Sequence, residues 1–263
     1  LSLLPKQFIY FFLSFFLTHS TQSPPPIIMS SSSKVEHVIL FKVKEDAEPS
    51  EVNNMVSIIN GMSSLDEVLY LTGAPVLRVR SSIPSLAFTH VSHSRFKSQR
   101  ELSEFDVNPI HLDVKKQIRR LVTDILAVDW FTGDLGGGGH VAVPPGSAVR
   151  VTFWKLKEGL GDKARSEILE GIKGIKEKLG GGVSEFTYGE NFSDRAKGFS
   201  IAFLAVFPSQ TELEAADPNQ DENFKEYLDD TFGLDFVVPP LPQQSAVAVH
   251  SNVVMGHVCP IIR

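Results

Sequence analysis

Cysteine is almost missing from this chain. Cys259 stands alone among 263 residues, so neither an internal disulfide nor a cysteine metal cluster is available. Positive charge is also in short supply. The 25 Lys and Arg are outnumbered by 31 Asp and Glu, the formal charge is −6, and the isoelectric point is near 5.8. No Lys/Arg cluster is dense enough to neutralise a phosphate backbone, which excludes nucleic acid as an expected partner. Long apolar runs are lacking as well. The best candidate, "FIYFFLSFFL" from Phe8 to Leu17, is too short to span a bilayer, so no membrane partner is expected. It follows Lys6 and precedes small polar residues, in the order of a secretory signal. The chain nevertheless opens on Leu1, with its first methionine at Met29. Residues rich in Leu, Ser, Phe and Pro are what a translated pyrimidine-rich leader yields. Residues 1–34 are therefore expected to lie outside the fold, as a leader in preference to a signal.

What the chain does contain is an internal duplication. "HVILFKVKE" (His37 to Glu45) is echoed by "RVTFWKLKE" (Arg150 to Glu158), and "RFKSQREL" (Arg95 to Leu102) by "VFPSQTEL" (Val206 to Leu213). Lys42 and Lys155 are 113 positions apart, and Phe96 and Phe207 are 111 apart. Repeats of that length are whole domains. The spacing predicts one domain over 35–133, a linker over 134–147, a degenerate second domain over 148–240 and a tail over 241–263. The linker, "TGDLGGGGHVAVPPG" from Thr132 to Gly146, combines glycine freedom with prolines that block helix and central strand. Its "GGGG" lacks the Lys-Ser/Thr pair and following helix of a phosphate cradle.

Each repeat reads as strand, helix, two strands, helix and strand. In the first, Val35 to Val43 alternates and is β-branched-rich. Glu48-Pro49-Ser50 starts a helix with Val52, Met55, Val56 and Ile59 at three-to-four spacing, ending by Gly61. Strands are predicted over 68–76 and 86–96. Ser98 and Glu101, like Ser209 and Glu212 in the second copy, form a capping box. Asn108-Pro109 and Asp217-Pro218 place a capping side chain before a proline at the first helical position. "DILAVDWF" (Asp124 to Phe131) and "LDFVV" (Leu234 to Val238) close the units. The predicted class is α+β, with two tandem ferredoxin-like domains.

Taken in order, "VEHVILFKVK", "AFTH", "FKSQREL" and "NPIHLDV" resemble the stress-response A/B barrel domain, of the dimeric α/β barrel group. The resemblance covers nearly all of the first repeat. The second keeps strands and caps but replaces Thr-His by Ser200-Ile201 and Pro-x-His by Pro218-Asn219-Gln220. The whole chain is similar to plant members with two such domains in tandem. In single-domain relatives two copies pair their sheets into a barrel. The resemblance implies the same pairing here, either within one chain or in a homodimer.

Histidine distribution separates the halves. The first repeat holds His37, His90, His93 and His111, and residues 148–240 hold none. Strand parity places His90 with Phe88 and Phe96 on one face, and His93 on the other with Ala87, Thr89 and Val91, which makes His93 a surface or barrel-interface residue. On the helix from Pro109, Ile110, Val114, Ile118 and Leu121 form a stripe with His111 at its edge. His111 is thus expected to look into a space between helix and sheet that His37 and His90 also reach. Phe96, Phe105, Phe199, Phe203 and Phe207 are expected in the core.

The family's recognised enzyme, the plant olivetolic acid cyclase, closes a linear polyketide without a cofactor. By resemblance His111 takes the place of its general base, and His90 and His37 match two further pocket histidines. Phe105 falls where the cyclase has a tyrosine and supplies no O–H for a developing oxyanion. Losing such a donor costs roughly 10²–10³ in rate. Two readings follow. The preferred one is a non-catalytic or weakly catalytic stress or defence protein whose barrel binds a small apolar molecule. The alternative is a cofactor-independent cyclase or isomerase with His111 as base. No cofactor or side-chain metal site is assigned: the acidic run Asp217 to Asp230 lacks calcium-loop spacing. Some relatives hold magnesium through backbone carbonyls near the end of the first helix, 61–67 here, which leaves no side-chain signature. The relatives' location and the terminal "CPIIR" lead to an expected site in peroxisome or cytoplasm.

Overall fold

The computed structural model describes residues 34–81, 83, 85–132, 142–180, 182–216 and 222–240. The leader, the glycine-rich stretch, the Asp217-Pro218 cap and the tail lie outside the described residues, apart from residue 34 and residues 142–147 of the linker. The first half runs β1 (Val35–Val43), α1 (Pro49–Gly61), β2 (Val68–Ser81), β3 (His90–Phe96), α2 (Gln99–Val107), α3 (Pro109–Arg119) and β4 (Val122–Phe131). The second runs β5 (Ala148–Leu156), α4 (Asp162–Lys173), α5 (Ile175–Lys178), β6 (Glu185–Glu190), β7 (Ile201–Phe207), α6 (Gln210–Ala215) and β8 (Leu228–Val237).

All eight strands join in one antiparallel sheet of order β4-β1-β3-β2-β8-β5-β7-β6. β2 is the bridge. Its first part pairs with β3, and from Val76 it pairs with β8 of the other half, across register shifts at both places. The strand expected from sequence stops at Val76, and the extra residues make the contact between halves. The sheet curls until its free edges meet, with Asn191 beyond β6 bridging Trp130 of β4. A Cβ on Gly189 would lie 2.8 Å from the Phe131 carbonyl oxygen, so only glycine lets the edges approach this closely.

Alternation along the strands sorts side chains into two environments. Val38, Leu40, Val91 and Val128 from the first half meet Val151, Phe153, Leu204 and Phe236 from the second inside the barrel. The opposite faces carry the helices: Phe41, Met55, Ile59, Phe96, Phe105 and Val114 form one helical layer, and Trp154, Ile168, Ile172, Phe186 and Phe203 the other. The two ferredoxin-like units therefore pair inside one chain.

The local signals act with some differences of detail. Ser98 accepts from the Arg100 N–H at 3.2 Å, and its hydroxyl donates to the Glu101 carboxylate. Ser209, Thr211 and Glu212 repeat this arrangement. The serine and glutamate thus bond each other's side chains, whereas a capping box returns the glutamate to the backbone. Asn108 accepts from the Ile110 N–H at 2.9 Å and starts α3. β3 begins at His90, not at Leu86, because Leu86 N–H and Phe88 N–H bond the Ile83 and Leu86 carbonyls and turn the chain. The turn breaks the pleat, so Phe88 points into the barrel against Phe232, away from the face His90 occupies. In the second half the segment matching α3 ends in a 3-10 stretch at Glu222–Tyr227.

Candidate functional site

Between the first-half sheet and its helices lies a cavity of about 490 Å³, within the usual range for small-molecule sites. Its walls are apolar, including Ile39, Phe41, Ile59, Leu71, Phe105 and Ile118. Its polar groups are His37, Ser92, Ser94 and His111, and the charged side chains of Lys115, Arg119, Asp194, Arg195 and Lys197 also line it. β1 supplies His37 because parity turns 37, 39 and 41 toward the helices and 38 and 40 into the barrel. β3 supplies Ser92 and Ser94 by the same rule.

His37 is 3% exposed. It lies opposite Asp129 in the β1–β4 register, and its Nδ1–H donates to the Asp129 carboxylate. That bond holds the ring by Nδ1 and leaves Nε2 as the nitrogen not engaged by the carboxylate, the orienting role a carboxylate plays toward imidazole in catalytic triads. His111 is 5% exposed. Its Nδ1–H donates to the Phe105 carbonyl at 2.9 Å, and its ring stacks on Phe105 at 4.0 Å. Burial, then the neighbouring Lys115, push its pKa from 6.5 down to about 4, so it is neutral at physiological pH with a free Nε2. Phe105, expected in the core, is both buried core and cavity wall.

Two placements differ from the sequence expectation. His90 does not join His37 and His111. It shares the face of Ser92 and Ser94 but sits at the first residue of β3, beyond the cavity, with Nδ1 2.9 Å from Thr89 Oγ1. Its pKa is lowered by burial. His111 is central, not marginal: the buried stripe of α3 is His111, Val114 and Ile118, while Ile110 is 55% exposed. The cap at Asn108 sets the helix rotation, and positions 111, 114 and 118 then meet the sheet.

His93 is fully buried inside the barrel. Its Nε2–H donates to Glu36 at 2.6 Å, and Arg95 joins Glu36 at 3.1 Å and Glu185 of the second half at 2.9 Å. Burial opposes the charge on Glu36, but Arg95 and His93 outweigh it and hold the carboxyl down at about 2. This network joins the halves and lies on the opposite side of the sheet from the cavity.

Several site residues escaped the sequence reading. Asp129 carried a signal, since an acid recurs in both closing strands, "AVDWF" and "GLDFV", and its counterpart Asp235 is fully buried. Ser92 and Ser94 followed from the parity of β3. Asp194, Arg195 and Lys197 line the mouth although they belong to the second half, and no local pattern announces them.

The stress-responsive A/B barrel domain model matches residues 35–132 and again 148–238. A stress-response A/B barrel domain-containing protein of Arabidopsis thaliana is 40% identical over 84% of this chain and 86% of its own length. A second Arabidopsis protein of the same description is 38% identical over 79% of this chain and 98% of its own. Among solved structures, a Fusobacterium nucleatum protein with a provisional monooxygenase name matches 80% of this chain and 94% of its own, with TM-score 0.58 and 16% identity. An anthrone oxidase-like protein matches 79% and 92%, with TM-score 0.52 and 12% identity. At such identities these structures establish the fold alone. Two family matches, one on each half of a single closed barrel, make this chain a tandem member of the stress-responsive A/B barrel family.

Proposed function

We propose that the first-half cavity is the functional site and that it holds a small, largely apolar molecule. The observation that carries this is the contrast inside one space: an apolar wall of helix and strand side chains that carries two imidazoles and two serine hydroxyls, with the charged side chains of Lys115, Arg119, Asp194, Arg195 and Lys197 completing the lining. Pockets with few converging polar groups are the usual small-molecule sites. The Nε2 atoms of His37 and His111 accept hydrogen bonds from a hydroxyl or amide of the guest, and Ser92 donates or accepts.

The test uses the neutral fluorophore N-phenyl-1-naphthylamine with the purified chain. Saturable one-to-one enhancement is expected, abolished by Ser92→Phe, which fills the space, with circular dichroism unchanged. Equal enhancement in Ser92→Phe counts against the cavity.

A second reading is proton transfer without a cofactor, favoured by the buried bond between His37 and Asp129. The carboxylate-oriented His37 imidazole takes up a proton adjacent to a carbonyl, and a serine hydroxyl stabilises the enolate oxygen, since Phe105 has no O–H to do so. Burial makes His111 a weak base, with its pKa lowered to about 4. Solvent deuterium entering the α-carbon of a bound 1,3-diketone would reveal this activity. It should disappear in His37→Ala while fluorophore binding persists.

A further inference from the structure

We infer that the guest of this cavity is amphipathic, with a carboxylate head held at the mouth by Arg119 of α3 and Arg195 of the second half. This rests on the cavity being the binding site and adds the class of guest and the residues that choose it. Five charged side chains line the cavity, of which Arg119, Asp194, Arg195 and Lys197 are exposed and Lys115 is half-buried, so they mark its solvent-facing side. Two cations are already engaged, Lys115 with Asp106 at 2.9 Å and Lys197 with Asp124 at 2.8 Å. Arg119 and Arg195 make no ion pair within 4 Å among the described residues, although Arg195 is close enough to help lower the Asp106 carboxyl. Counting Asp106, Asp124 and Asp194 against the four cations leaves a surplus of one positive charge, on a chain whose formal charge is −6.

The segment carrying Arg195 is tied down. Asp129 N–H donates to Asn191 Oδ1 at 3.0 Å, Phe192 N–H to the Asp129 carbonyl at 2.9 Å, and Ala127 N–H to the Arg195 carbonyl at 3.2 Å. Phe192 stacks on Phe131 at 4.7 Å, and Ala196 is buried in the barrel core. The backbone of Arg195 is thus fastened to β4, while its exposed guanidinium stands at the rim. A guanidinium is planar, permanently charged and weakly hydrated, and its fork matches the two oxygens of a carboxylate. No Lys or Arg lies among the apolar wall residues, and His111 there is neutral. An anionic head finds its cationic partners in Arg119 and Arg195, with the apolar body against the apolar wall. The second half, devoid of histidine, then acts on the site through its crossover.

A matched pair separates head from body. Decanoate and 1-decanol share one chain, and each displaces N-phenyl-1-naphthylamine from the wild-type protein at pH 8. Decanoate should displace it at a concentration lower on the order of tenfold, as a charge-assisted Arg contact implies. Arg119→Met with Arg195→Met, which keeps the apolar stems, should erase that preference and leave decanol unchanged. Arg195→Glu should invert it. Decanol binding as well as decanoate overturns this inference while the cavity reading stands, as does a preference that survives both variants. Failure of the fluorophore itself to bind overturns both.

Discussion

At equivalent positions the two halves made opposite choices. The carboxylate at the closing strand is retained: Asp129 faces His37, and Asp235 faces Arg150 in the matching register. In the first half its partner is an imidazole that lines the cavity. In the second it is a permanently charged guanidinium at 3.1 Å, joined by Arg80 of β2 at 2.9 Å. The space above it also differs. Where the first half has Phe41 and Ser92 beside a void, the second has Trp154 and Phe203, with ring centroids 5.1 Å apart. Phe224 packs on Trp154 at 4.8 Å and presses so close to α4 that a Cβ on Gly171 would lie 2.8 Å from its ring. Duplication thus left a cavity in one half and tight aromatic packing at the equivalent place in the other, from the same strand order and the same buried acid.

That contrast can be broken most severely from the filled side. Trp154→Ala should destabilise the chain by about 3–5 kcal/mol, the range for large aromatic truncations in a close-packed core. Phe41→Ala should cost less, because one side of Phe41 already faces the void. Denaturant unfolding of the two variants checks the order. The acids should separate in the same way. Asp235→Ala removes the carboxylate that pairs with Arg150 and Arg80 and should cost about 3–5 kcal/mol, whereas Asp129→Ala removes a single hydrogen-bond acceptor from the His37 ring, at about 1–3 kcal/mol. Equal losses from the two would show that the His37 bond is no weaker a structural element than the Arg150 pair.

Acid should expose the hollow half first. His111 has a folded pKa of about 4 against 6.5 unfolded. The unfolded chain therefore takes up a proton that the folded one refuses, and stability is lost as pH falls from about 6.5 toward about 4. His93, held neutral chiefly by burial, adds a loss in the same direction. His111→Leu should flatten the slope of melting temperature against pH without removing it. Below that window Glu36, held at about 2 against 4.5, contributes stability that fades as pH drops from about 4.5 through about 2. The smallest effect belongs to the helix caps that both halves share: Ser98→Ala and Ser209→Ala should each cost about 1 kcal/mol, measured by thermal unfolding.

Much of this was legible in the chain. Pro49 and Gly61 bound α1 as expected, Asn108-Pro109 starts α3, and the alternation of β1 assigns His37 to the helical side. Such signals are local, because a cap or a pleat depends on neighbours a few residues away. The expectation for His90 failed at the scale of the whole element: its face was right, but the cavity ends before the first residue of β3. For Phe88 parity itself failed, because a turn interrupted the strand. Asp129 was overlooked although it recurs as Asp235, since an acid in a closing strand acquires meaning only when β1 or β5 is laid beside it.

By itself, the sequence determined the duplication, the order of strands and helices, the caps that start the helices and the presence of histidine in the first repeat but not in the second, because each depends on composition or on short-range periodicity. The tertiary structure alone decided that the halves close on each other, that His37 meets Asp129 while His90 stays apart, and that a second-half segment rims a first-half cavity. Those facts depend on curvature, register and side-chain volume summed over strands distant in the chain, and packing settles such quantities only when all the strands are in place.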